Sequence, residues 1–168
     1  MKFLNTARKG FTLVELLVVI AIIAILTGVV LVAINPAQMM AESRDATRMS
    51  DLDNLRKAID LAQASGDITL TVTTGNSGAT GATRAVDGTG WLSYTVVNAP
   101  GLGKFLATLP VDPQQSATMS YFYGSGTTGY ELDCLFESTK YQTKYTTDGG
   151  SNVGRYEIGT DPGLDIIQ

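Results

Sequence analysis

The chain contains no histidine at all among its 168 residues. That absence removes the commonest general base, the usual serine and cysteine triads, and most transition-metal sites. It has a single cysteine, Cys134, so no intrachain disulfide can form. The fold must then hold by packing, or with a hard metal, even in an oxidising compartment. Charge is scarce where it matters most. Between Phe11 and Ile34 only one residue of 24, Glu15, is ionisable as an acid or base. Basic residues are outnumbered, 12 to 16. Without residues 1–10 the balance becomes 9 to 16, which argues against nucleic-acid binding.

What is present falls into unlike parts. Residues 1–10 carry Lys2, Arg8 and Lys9 and no acid. Basic residues before a first apolar segment keep that end in the cytoplasm, so a single-pass, N-in topology across the cytoplasmic membrane is expected. Residues 11–34 as a helix would reach about 36 Å, enough for a hydrocarbon core of about 30 Å. The segment ends Ala33-Ile34-Asn35-Pro36, a poor site for ordinary signal cleavage. An acid at the centre of a membrane helix costs about 2.5–3.5 kcal/mol on insertion scales, so Glu15 calls for a use.

The stretch Lys9-Gly10-Phe11-Thr12-Leu13-Val14-Glu15-Leu16 closely resembles the processing motif of type IV pilins and type II secretion pseudopilins. The resemblance implies that a prepilin peptidase cuts between Gly10 and Phe11 and that the new amine of Phe11 is N-methylated. It also implies that Glu15, the fifth residue of the mature chain, meets the Phe11 amine of a neighbouring subunit during assembly. A buried carboxylate without a partner is strongly unfavourable, and an ion pair completed between subunits would favour one axial register. Within one helix Phe11 and Glu15 are also i,i+4 neighbours, so a partner in the same chain is conceivable.

Pro36 lacks an N–H and is expected to kink or restart the helix, with Asn35 as a cap. Gly28, after Thr27, is a second weak point. Residues 37–65 have the apolar period of an amphipathic helix in Met49, Leu52, Leu55, Ile59 and Ala62. Its other faces carry Glu42, Arg44, Asp45, Arg48, Asp51, Asp53, Arg56, Lys57 and Asp60. These read as a solvated face, with i,i+4 pairs Asp53–Lys57 and Arg56–Asp60, or as a mixed-sign set registering neighbouring subunits.

In the remainder, residues 68–73 alternate as a strand, and residues 75–90 form a Gly-rich loop with no P-loop lysine. Residues 91–97 read as a strand or an irregular packed segment, and residues 101–109 as a short helix. Residues 119–123 and 130–137 flank a turn and give the clearest β signal. Tyr130, Leu132, Cys134 and Phe136 share one face, while Glu131, Asp133 and Glu137 lie on the other. Cys134 is then a buried thiol rather than a nucleophile. Tyr121 and Tyr123 are expected in the same core; a carbohydrate-binding aromatic surface is the weaker reading. The runs Leu109-Pro110-Val111-Asp112-Pro113, Tyr121-Phe122-Tyr123 and Gly129-Tyr130-Glu131-Leu132 also resemble the pseudopilin β-region.

The tail is rich in oxygen-bearing side chains and turn residues. Major pseudopilins bind calcium in a C-terminal loop, and Asp148, Asn152, Asp161 and Asp165 are the residues here that could supply oxygens. The competing reading is turn chemistry, in which Asp and Asn bond their own backbone.

The expected architecture is α+β and pilin-like: a leader at 1–10, a transmembrane and filament-core helix at 11–35, an amphipathic helix at 36–65, and a small antiparallel sheet with loops at 66–168. The expected role is a non-enzymatic structural subunit, with no cofactor except calcium if the tail binds it. Its implied partners are copies of itself, the prepilin peptidase and N-methyltransferase, the assembly platform, minor pilins and the membrane. After assembly it would lie in a surface or periplasmic filament. The alternative is a membrane-anchored extracytoplasmic binding module or hydrolase that does not polymerise. Lack of a C-terminal disulfide and the long charged helix resemble major pseudopilins more than adhesive pilins.

Overall fold

A computed structural model describes residues 10–116, 118–127 and 129–167. The leader residues 1–9 lie outside that description. The chain divides into two compact units, Met1–Met39 and Met40–Gln168.

In the first unit, α1 spans Leu13–Ile34, one continuous helix of 22 residues. Its side chains are exposed wherever described. Leu13–Leu31 is long and apolar enough to cross a membrane, with mean hydropathy 3.0. Gly28 sits inside the unbroken helix, and a Cβ there would meet nothing within 4 Å. The break comes at Asn35, whose φ of 45° is left-handed. Pro36 then opens α2, Pro36–Ala64. Proline suits that first position because its missing N–H would be unpaired there anyway.

In the second unit, α2 buries Leu52, Leu55, Ala58, Ile59 and Ala62. They join a core with Trp91, Leu92, Leu102 and Leu109 from the loops and Tyr121, Tyr123, Tyr130, Leu132, Cys134 and Phe136 from the sheet region. Full burial of a leucine or isoleucine contributes about 1.5–3 kcal/mol, so this stripe is the main tie between helix and sheet. The sheet has four antiparallel strands in the order β2-β4-β5-β6: Thr73–Asn76, Phe122–Ser125, Tyr130–Cys134 and Tyr156–Gly159. A small separate pair joins β1, Ile68–Thr69, to β3, Thr95–Val96. The α+β, pilin-like class expected from the sequence is the one observed.

Several local expectations change. The alternating run at 68–73 splits, its start pairing with β3 and Thr73 opening β2 in the other sheet. Gly75 and Asn76 belong to β2 rather than to a loop. A Cβ on Gly75 would lie 1.8 Å from the Trp91 carbonyl oxygen, so only glycine lets the backbones approach. Residues 101–109 form only a 3₁₀ turn, Gly101–Lys104. Strand β4 begins at Phe122 and takes in Gly124 and Ser125, which the sequence suggested as turn. Strand β6 lies in the tail, where turns alone were expected.

The solvated-face reading of α2 fails at Asp45 and Arg48, both wholly buried. Arg48 Nε and one terminal nitrogen bind both Asp112 oxygens at 2.6 and 2.9 Å. Its other terminal nitrogen reaches Asp45 at 2.7 Å and Glu137 at 2.6 Å. Of the two expected i,i+4 pairs neither forms. Arg56 instead pairs with Asp53 at 3.2 Å, and Asp60 accepts from the Tyr130 hydroxyl at 2.6 Å.

Candidate functional site

The site begins where α1 begins. Thr12 is the N-cap, with extended backbone at φ −77° and ψ 153°. Its hydroxyl accepts from the Glu15 N–H at 3.2 Å. Glu15 returns the bond: its Oε2 accepts from the Thr12 N–H at 2.8 Å and from the Thr12 hydroxyl at 2.7 Å. This is a capping box, and it satisfies backbone groups that the first helical turn leaves free. A carboxylate at a helix N-terminus also meets the positive end of the helix dipole.

Glu15 thus has a local partner within its own chain. Both of these bonds fall on Oε2, leaving Oε1 for a further donor. Gly10 and Phe11 precede the helix, and Phe11 is 85% exposed. The scissile bond implied by the motif is therefore at an exposed, non-helical position, and cleavage there would place a new amine one residue before Thr12. Sequence reasoning singled out Gly10, Phe11 and Glu15 and missed Thr12. The signal was available: Thr-x-x-Glu ahead of an apolar run is the capping-box pattern.

The four candidate calcium residues do not come together as a ligand set. Asp148 accepts from the N–H groups of Gly150 and Glu157, each at 3.0 Å. The Asn152 side-chain oxygen accepts from the Gly154 N–H at 3.0 Å. Asp161 is buried and Asp165 exposed. Among the described residues no group of three or more His, Cys, Asp or Glu side chains is arranged to hold a metal. Asp148 and Asn152 act as turn and strand locks.

Cys134 is buried, and burial pushes its thiol well above the ordinary value. Tyr121 and Tyr123 are buried too, as expected. Tyr121 donates to Asp51 at 2.8 Å, so it ties β-region to helix rather than offering an open aromatic surface.

Sequence comparisons agree with the motif. The prokaryotic N-terminal methylation motif matches residues 5–31. The chain is 27% identical over 137 residues to the type IV major fimbrial protein FimA of Dichelobacter nodosus, covering 82% of this chain and 81% of that protein. No solved structure matches.

Proposed function

We propose, from the premise that the chain is of the type IV pilin and pseudopilin family, that it polymerises into a filament after cleavage between Gly10 and Phe11. The observation that carries this reading is the conjunction at the start of α1. A processing motif directly precedes a 22-residue helix that is apolar and, wherever described, exposed, with Glu15 in its first turn. An apolar helix of that kind needs lipid or other helices around it. The membrane supplies the first surroundings, and neighbouring copies of α1 supply the second. Similarity to a fimbrial protein over four fifths of the chain favours a pilus over a secretion pseudopilus.

In this reading Glu15 has two successive partners. Before assembly Thr12 holds its Oε2. In the filament the Phe11 amine of an adjacent subunit approaches Oε1, completing a charge pair in a low-dielectric core. The prepilin peptidase creates that amine, the assembly platform extracts the subunit, and minor pilins join the same filament. The role is structural, with no reaction catalysed.

Mass spectrometry of the mature chain, paired with electron microscopy of sheared surface material, tests this. The expected result is a chain starting at N-methylated Phe11 within filaments. A membrane-held chain that retains Met1 and forms no filament would overturn the proposal and favour a plain anchor.

A further inference from the structure

Exposed charges of the second unit mostly have partners. Arg84 donates through Nε to the Leu109 carbonyl at 2.7 Å and through a terminal nitrogen to the Thr108 hydroxyl at 3.2 Å. Lys104 pairs with Asp67 at 3.0 Å, and Lys140 with Glu42 at 2.9 Å. Asp87 accepts from the Thr89 N–H and hydroxyl, at 3.1 and 2.6 Å. Among the described residues two exposed charges of opposite sign stay without a bond: Lys57 on α2 and Asp165 in the tail.

Each has apolar company. Lys57 borders a hollow in which Leu61, one helical turn on, is 54% exposed. Phe105 and Leu106 line the same hollow and are only half-buried. Both ionisable side chains at its rim, Lys57 and Lys104, are cations, and Lys104 is already committed to Asp67. Asp165 is followed by Ile166 and Ile167, also half-buried.

The sheet separates the two charges. The Tyr130 hydroxyl donates to Asp60 on α2 at 2.6 Å, so its face of β5 is the α2 face. Glu131, the next residue, points the other way. Its Oε2 accepts from the N–H groups of Ile166 and Ile167, at 2.9 and 3.1 Å. Gly124 agrees, since a Cβ there would come within 2.7 Å of both isoleucine side chains. The tail therefore lies on the side of the sheet away from α2, and Lys57 and Asp165 of one body do not meet.

We propose that the hollow beside Lys57 receives the tail segment 165–167 of a second copy of this chain, with an ion pair between Lys57 and Asp165. The contact rests on the filament proposed above and names one interface within it. Charge complementarity selects the occupant. An apolar hollow with an unpaired cation fits an aliphatic segment with an unpaired acid, and this chain presents such a segment itself. Acids outnumber bases in the second unit, so copies repel one another except where a free cation is offered. The two surfaces are unlike and sit on opposite sides of the sheet. Each contact then leaves a free hollow on one copy and a free tail on the other. Such a contact repeats along a helical filament instead of closing as a two-fold dimer.

Carbodiimide treatment of sheared filaments tests this, because the reagent joins an amine to a carboxylate where the two touch. The expected product is a cross-linked peptide of Lys57 and Asp165 from separate copies, with a ladder of chain multiples on electrophoresis. Charge reversal is the second measurement. Lys57→Glu and Asp165→Lys each bring like charges together, and each is expected to lower filament yield by about tenfold or more. The double variant is expected to recover it. Both side chains are exposed, so the single variants are expected to melt as the unaltered chain does. Filaments in which Lys57 is joined to another protein or to nothing, or a double variant as poor as the singles, overturn this contact and leave the filament standing. An unaltered chain that makes no filament overturns both.

Discussion

Arg48 and Asp112 face each other as a two-pronged pair, Nε to Oδ2 at 2.6 Å and a terminal nitrogen to Oδ1 at 2.9 Å, with neither side chain exposed. The pair ties the middle of α2 to the loop before β4. Asp45 extends it, accepting from the backbone N–H groups of Glu137 and Ser138 at 2.9 and 2.7 Å. Burial by itself would lower the Arg48 pKa; its bonds to Asp112, Glu137 and Asp45 outweigh that and raise it. Removing one member leaves a buried charge short of its partner. Asp112→Ala is therefore expected to destabilise the body by about 3–5 kcal/mol. Arg48→Lys is expected to fail as a conservative change, because an ammonium cannot match the two-pronged geometry. Thermal melts of the full chain in detergent, followed by near-ultraviolet circular dichroism, check both.

Thr12 and Glu15 make a second pair, at the start of the apolar helix α1. Thr12→Ala is expected to weaken the first turn of α1 by about 0.5–2 kcal/mol, while Thr12→Ser keeps the cap. Amide exchange at Leu13–Glu15 in micelles reads the effect directly. Glu15→Val is expected to insert in the membrane yet assemble poorly. Normal filament yield from that variant would show that Glu15 has no part in assembly.

The large features were legible because they rest on period and run length. Residues 11–34 and the Met49–Ala62 stripe announced two helices, and the inward placement of Tyr130, Leu132 and Cys134 followed from alternation. What stayed hidden depends on partners distant in sequence. Asp45 and Arg48 look like any surface i,i+3 pair until Asp112 and Glu137, more than 60 residues away, meet them. Glu131 and Asp133 were placed on the correct face of β5. Nothing in their alternation said that the Ile166 and Ile167 N–H groups would bond Glu131 there. Strand β6 was missed because Tyr156–Gly159 is short and follows a Gly-rich turn, and its ladder to β5 is a tertiary fact.

The tail oxygens lead to an expectation about calcium. Asp148 holds the Gly150 N–H and the Glu157 N–H, so it joins the turn to the start of β6. Asp148→Ala leaves two partly buried N–H groups without their acceptor, a loss of about 1–3 kcal/mol. That loss is expected to be the same with calcium or with EDTA, and the unaltered chain is expected to show no shift in Tm between the two. A rise in Tm with calcium that Asp161→Ala abolishes would instead reveal a site assembled on binding.

Glu137 sets the acid limit of the body's stability. It bonds Arg44 through both oxygens, at 2.8 and 2.5 Å, and touches Arg48 at 2.6 Å. The Arg44 hydrogen bonds, then those from Arg48, hold its carboxyl below the ordinary 4.5, against the opposing effect of burial. A depressed carboxyl stabilises the fold above its unfolded value, and that contribution disappears as pH falls through the folded value. Stability is therefore expected to decline below about pH 4.5. Glu137→Gln should flatten this acid limb. Urea titrations at closely spaced pH values check this. An acid limb unchanged in Glu137→Gln would assign it to other carboxylates, with Asp67 the first to examine, since Ser65 and Lys104 lower its pKa as well.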